Sequence, residues 1–158
     1  MNAQRRPPRL GTVLVIEEQV REAIIAHAKK DHPDEACGVV AGARGSDRPT
    51  RFVPMTNASN DPYILYEFSS ADLFRLYRDM DDRSEEPVII YHSHTHTEAY
   101  PSPTDRRLAS EPGAHYVLVS TREHGNDPGP VDFRSYRILD GEVTEEDVTV
   151  VSSYQDAE

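Results

Sequence analysis

One cysteine, Cys37, stands in a chain of 158 residues, so no internal disulfide can form and the fold has to hold by packing, as suits a reducing compartment. The same scarcity excludes a thiolate-rich structural zinc site. Basic residues are also short: 17 Lys+Arg against 28 Asp+Glu leave a formal net charge of −11. A surface of that sign repels phosphate backbones, which excludes nucleic acid as a partner, and it favours a partner with a basic patch. Nowhere does an apolar run approach the roughly 20 residues that span a bilayer, so no membrane role is expected. The opening segment MNAQRRPPRL carries arginines with no apolar core behind them, which is not the pattern of a secretory signal, and the chain reads as cytoplasmic. There is no internal repeat and no low-complexity tract. A mass of 17.8 kDa suits one domain.

The hydrophobic pattern predicts strands and helices in alternation. Residues 1–10 read as a flexible lead-in, 11–151 as the folded domain, and 152–158 as a frayed tail. Val13 to Ile16 is a short β-branched run. Val20, Ala23, Ile24, His27 and Ala28 then recur at three- and four-residue steps, an amphipathic helix ended at Asp31-His32-Pro33. Cys37 to Ala41 fits a buried strand, Gly42 to Arg48 a turn, and Arg51 to Met55 and Tyr63 to Phe68 two further strands around the loop from Asn57 to Pro62. Ser69 and Asp72 have capping-box spacing before a helix with Leu73, Leu76, Tyr77 and Met80 on one face. Val88 to Tyr91 is apolar on both parities, as in a central strand. A short helix starts near Pro103, His115 to Val119 is another buried strand, Glu123 to Pro130 a flexible loop, and Phe133–Leu139 and Val143–Val151 are strands joined at Asp140-Gly141. The sum is a single-domain α/β sandwich around a mixed sheet flanked by helices.

Three of the seven histidines fall within five residues, His92-Ser93-His94-Thr95-His96. Strand side chains alternate faces, so His92 and His94 project to one side at the end of the central strand, about 6–7 Å apart along it. Two imidazoles so placed can converge on one metal ion. Asp105, in the first turn of the next helix, can add a carboxylate oxygen. Three protein ligands on zinc leave a fourth position for water, whose pKa the ion can lower to about 7. Hydrolysis also needs a proton acceptor. Glu35, at the entrance of an apolar strand, is the best remote candidate, with Asp34 as its competitor.

The string His92-Ser93-His94, seven residues, Ser102, two residues, Asp105, with Glu35 in an upstream Glu-Ala-Cys-Gly, resembles the signature of the JAMM (MPN+, JAB) zinc metalloproteases. The likeness covers about residues 12 to 120. The strings DHPDEACGVVAG, MTNA, YHSHTHTEAYPSPTD and AHYVLVSTR are similar to a narrower branch, the small bacterial Mec-type peptidases. The resemblance implies a cytidine-deaminase-like sandwich and one catalytic Zn2+ on His92, His94 and Asp105. It further implies Glu35 as general base, Ser102 as a hydroxyl supporting the oxyanion, and as partner a ubiquitin-like sulfur-carrier protein whose C-terminal Gly-Gly carries a newly made cysteine.

Plainer readings stand beside these. Ser102-Pro103-Thr104-Asp105 is also a good helix start, and a serine cap would aim Asp105. His96 shares the parity of His92 and His94 but lies where the chain turns into a loop, so it reads as a bystander or a groove residue. Cys37 is a small buried residue without a paired base. Thr95, Glu98 and Tyr100 either touch substrate or are ordinary loop residues. Asp79 to Asp82 with Glu85-Glu86 reads as a solvated helix end and loop. Three rival functions remain: an isopeptidase removing a ubiquitin-like tag from lysines, a non-catalytic scaffold for a ubiquitin-like tail, and a metal store or sensor with no need of Glu35.

Overall fold

Alternation along buried strands divides this protein into two cores. The computed structural model describes residues 12–157, so the expected lead-in at 1–10 lies outside the described residues. The elements are β1 (Val13–Glu17), α1 (Glu18–Asp31), β2 (Cys37–Ala43), β3 (Arg51–Met55), α2 (Ser70–Asp82), β4 (Glu85–His94), α3 (Pro103–Leu108), β5 (His115–Ser120), β6 (Asp132–Leu139) and β7 (Glu142–Val151). They form one mixed seven-stranded sheet in the order β1-β7-β6-β5-β4-β2-β3. β4 lies parallel to β5 and antiparallel to β2, with Cys37 opposite His92 and His94 opposite Ser120.

On one face Ile89 and Tyr91 of β4, Val117 and Val119 of β5 and Val40 pack with Leu14 and Ile16 against Val20, Ile24 and Ala28 of α1. On the other, Val39, Ile90, Tyr116 and Leu118 pack with Leu76 and Met80 of α2. Burial on both faces explains the unbroken apolar run of β4. His92 and His94 share the parity of Ile90, so they emerge on the α2 side where β4 ends. The turn Asp140-Gly141 takes φ of 52° and 78°, the left-handed pair that a two-residue hairpin needs between Leu139 and Glu142.

The structure corrects four expectations. Tyr63 to Phe68 is no strand: Pro62 to Ile64 form a turn, and Ile64 and Leu65 donate to Asp61 O at 3.1 and 3.0 Å. Asn57 then captures the residues after this turn, donating to Leu65 O (2.9 Å) and accepting from Glu67 N (3.1 Å). A local side chain thus satisfies backbone groups that a ladder would have used. β4 starts three residues earlier than its apolar run because Glu85 and Glu86 continue the ladder opposite Ala43 and Gly42 of β2, and Arg51 binds Glu85 at 2.7 Å and Asp79 at 2.8 Å; these two acids are therefore paired and not merely solvated. The loop at 123–130 is docked, since Asn126 Nδ2 donates to Lys29 O (2.6 Å) and His32 O (3.1 Å) at the end of α1, and Lys29 returns a bond to Gly129 O at 2.7 Å. Finally, where fraying was expected, Tyr154–Ala157 form a turn of 3-10 helix, and Tyr154 Oη donates to Pro49 O at 2.6 Å. No helix among the described residues is long and apolar enough to cross a membrane.

At the far end of β5 from the histidine pair, fully buried His115 bridges Glu146 Oε2 (2.6 Å) and Asp47 Oδ1 (2.8 Å), while Ser135 Oγ donates to the same Glu146 oxygen and Arg137 lies 3.4 Å from the other. Burial disfavours its charged form, but the two carboxylates outweigh that and raise its pKa above the ordinary 6.5. A raised histidine stabilises the fold fully below pH 6.5 and loses that contribution as pH climbs through the folded value. The urea-midpoint difference between the parent and His115→Gln is therefore expected to narrow from pH 6 to pH 9; a difference that widens would contradict the assignment.

Candidate active site

The segment before β2 brings Glu35 to the end of β4. Ala36 N donates to Ser93 Oγ at 2.8 Å and Ala36 O accepts from Ser93 N at 3.0 Å, so Glu35 is strapped beside the histidines. Its own N–H donates to Pro62 O (2.7 Å) and its carbonyl accepts from Asn57 Nδ2 (3.0 Å). Glu35 is only 4% exposed, whereas its competitor Asp34 points into solvent. One ligand atom each of Glu35, His92 and His94 lie within 4.8 Å of one another. Burial pushes the Glu35 carboxyl up to about 7, opposed by His94 and reinforced by the nearby Asp105 charge.

Asp105 reaches the same place from α3. Its Oδ2 lies 3.1 Å from His92 Nε2 and 3.1 Å from His94 Nε2, and the two Nε2 atoms are 3.2 Å apart. Burial would raise the Asp105 carboxyl, but the two imidazoles and the Ser102 N–H overcome this and hold it well below the usual carboxylate range. Ser102 forms a full capping box: its Oγ accepts from Asp105 N (3.1 Å) and its N–H donates to Asp105 Oδ2 (2.8 Å). The proline at the first helical position and this reciprocal cap fix the direction in which Asp105 projects. His94 Nδ1 lies 2.9 Å from Glu98 O, a position from which it donates to that carbonyl and which would leave Nε2 of the neutral ring as the ligand atom facing Asp105. The carbonyl of Glu98 is what reaches His94. Tyr136 Oη on Ala99 O (2.5 Å) and Ser120 Oγ on Thr97 O (2.7 Å) hold that loop in place.

The remaining candidates stand apart. His96 is exposed, with Nδ1 2.8 Å from Thr95 Oγ1, outside the cluster. Thr95 donates to Tyr63 O at 3.0 Å, and Tyr100 packs edge-on to Tyr136 at 5.6 Å. Cys37 is buried and its thiol is pushed up to about 12, chiefly by that burial, so it stays protonated. Two residues escape the sequence reading. Asn57 gathers Glu35, Pro62, Leu65 and Glu67 onto one side chain, and Tyr66 stacks on His92 with centroids 4.3 Å apart and planes at 26°. Asn57 lies in the segment MTNA, whose turn chemistry was visible but whose reach was not.

Two imidazole nitrogens and a low-pKa carboxylate oxygen packed within 3.2 Å of one another are a donor set for a divalent metal, and these side chains fit one.

Residues 17–139 match the family model described as prokaryotic homologs of the JAB domain. The chain belongs to that family. Over 148 residues, 92% of this chain and 98% of the other, the JAB domain here is 58% identical to the CysO-cysteine peptidase of Mycobacterium tuberculosis. Over 111 residues, 68% of this chain and 80% of the other, it is 32% identical to a desampylase of Haloferax volcanii. A protein of Desulfitobacterium hafniense solved in solution superposes with a TM-score of 0.75 at 27% identity, covering 90% of this chain and 94% of that one. The chain is accordingly a JAMM-type peptidase.

A buried acid whose pKa rises from 4.5 to about 7 on folding costs stability once the pH exceeds 4.5, because the unfolded chain ionises first. In metal-free protein, Glu35→Gln is expected to raise stability at pH 8 by roughly 3 kcal/mol and to leave it unchanged at pH 4. Denaturant titrations at the two pH values check this, and equal stabilities at pH 8 would contradict it.

Proposed function

We propose that this chain hydrolyses the bond after the C-terminal Gly-Gly of a ubiquitin-like sulfur-carrier protein, releasing cysteine, with one zinc ion on His92, His94 and Asp105. The observation that carries the reading is the buried Glu35 carboxyl, pushed up to about 7, beside two imidazoles and within the 4.8 Å grouping. The substrate rests on likeness to the CysO-cysteine peptidase. The domain that acts is residues 11–151, and a reducing cytoplasm suits its free Cys37.

The same 4.8 Å grouping would allow Glu35, in place of Asp105, to serve as third ligand. Acidity favours Asp105 as the ligand and Glu35 as the base. A ligand must be ionised, which suits Asp105, held well below the usual carboxylate range. A general base must gain and lose a proton near neutral pH, which suits Glu35. Bound zinc supplies Lewis acidity towards water and the scissile carbonyl. Glu35 takes the water's proton and delivers it to the departing amine. Ser102 spends its hydroxyl oxygen on the Asp105 N–H, but its O–H remains a donor for the developing oxyanion, so cap and catalytic hydroxyl coexist. A glycine tail, lacking side chains, can approach close backbone walls, and the net charge of −11 favours a basic face on the carrier.

Mass spectrometry of a carrier–cysteine adduct incubated with the protein is expected to show cysteine release that a chelator abolishes. Glu35→Gln should keep zinc and lose nearly all turnover, and His92→Ala should lose zinc. Parental turnover by Glu35→Gln would remove Glu35 as the base, and full zinc occupancy in His92→Ala would remove the ligand set. Adducts ending Gly-Gly-Lys, run beside Gly-Gly-Cys, decide against the isopeptidase reading suggested by the desampylase likeness if the lysine bond survives. No hydrolysis by zinc-loaded protein would leave a binding scaffold or a metal store. Ser102→Ala should slow turnover by on the order of a hundredfold, the usual cost of one oxyanion donor; kinetics within a fewfold of the parent would confine Ser102 to its cap.

A further inference from the structure

A metal-bound imidazole ordinarily donates its second ring nitrogen to an acceptor, which fixes the tautomer and the ring's orientation. His94 follows that rule through Glu98 O. His92 does not: its Nδ1 is buried without a hydrogen-bond partner among the described residues. Something else has to hold a fully enclosed ring whose Nε2 is aimed at His94 and Asp105.

We propose that Tyr66 is the positioning residue for His92, its stacked ring standing in for the missing acceptor. The phenol lies over the imidazole at 4.3 Å and 26°, and the His94 ring closes on His92 at 5.0 Å and 63°. Tyr66 is itself fixed. Phe68 packs edge-on against it at 5.6 Å, and both chain neighbours are bound to Asn57, Leu65 through its carbonyl and Glu67 through its N–H. Asn57 also holds the Glu35 carbonyl, so one asparagine sets the base directly and this histidine through Tyr66. Stacking suits a metal-bound ring in a further way: coordination draws electron density from the imidazole, and an electron-rich phenol face attracts an electron-poor partner.

The proposal rests on His92 being a ligand, and that reading fails separately if His92→Ala keeps its zinc. The test is zinc affinity of the full chain by competition with a chromophoric chelator, together with the melting temperature of the metal-free protein. Tyr66→Leu is expected to weaken zinc binding by about tenfold or more, the range found when partners of metal-bound histidines are removed. Tyr66→Phe, which keeps the ring, should stay within about twofold of the parent. Ile24→Ala, which loosens the core on the opposite face of the sheet, should lower the metal-free melting temperature while leaving affinity within about twofold. Parental affinity in folded Tyr66→Leu overturns the proposal. An equal loss in Tyr66→Phe also does so, since it would assign the effect to the hydroxyl. Should Tyr66→Leu not fold, Tyr66→Met takes its place with the same expected loss, and failure of both to fold would make the ring a determinant of the fold and refute a positioning role.

Discussion

A single carboxylate oxygen lies 3.1 Å from two imidazole nitrogens that are themselves 3.2 Å apart, and most of the architecture can be traced to keeping those three atoms there. Three polar atoms, two on buried histidines and one on a half-buried aspartate, are expensive to gather without a cation or shared protons between them. The sheet meets the cost by rigidity. β4 is covered on both faces, so the parity that sends Ile89 and Tyr91 into one core leaves His92 and His94 no choice of direction. The capping box at Ser102 aims Asp105, and Tyr136 and Ser120 tie the intervening loop to the sheet.

Around that cluster, environment drives two carboxyls apart. Asp105 is surrounded by donors and stays ionised, whereas Glu35 is buried with its neighbouring donors spent on backbone and rises to about 7. Opposed acidities of this kind are how a site assigns the roles of ligand and base to chemically similar groups. The tendency of Glu35 to destabilise the fold at neutral pH is the counterpart of the role proposed for it there.

Much of this was legible in the sequence because it depends on period and spacing. The two-residue period put His92 and His94 on one face, and Ser102-Pro103-Thr104-Asp105 announced a cap. Glu35 stood out as an acid at the mouth of an apolar strand. What stayed hidden depends on contacts between distant segments. Tyr63 to Phe68 has strand composition, but Asn57 takes its backbone groups, and only the folded chain shows Tyr66 lying on His92. Glu85 looked solvated because its partner, Arg51, sits 34 residues away. The loop at 123–130 looked loose because its anchor, the end of α1, is nearly 100 residues upstream.

The most direct measurement is a crystal structure of the zinc-loaded protein with anomalous data collected at the zinc edge. One peak is expected, about 2.0–2.1 Å from the Nε2 atoms of His92 and His94 and about 2.0–2.2 Å from an Asp105 oxygen, with Glu35 outside the coordination sphere and facing the open position. A peak that takes Glu35 as a fourth protein ligand, or no peak between the two histidines, would contradict a three-ligand zinc site with Glu35 as its base.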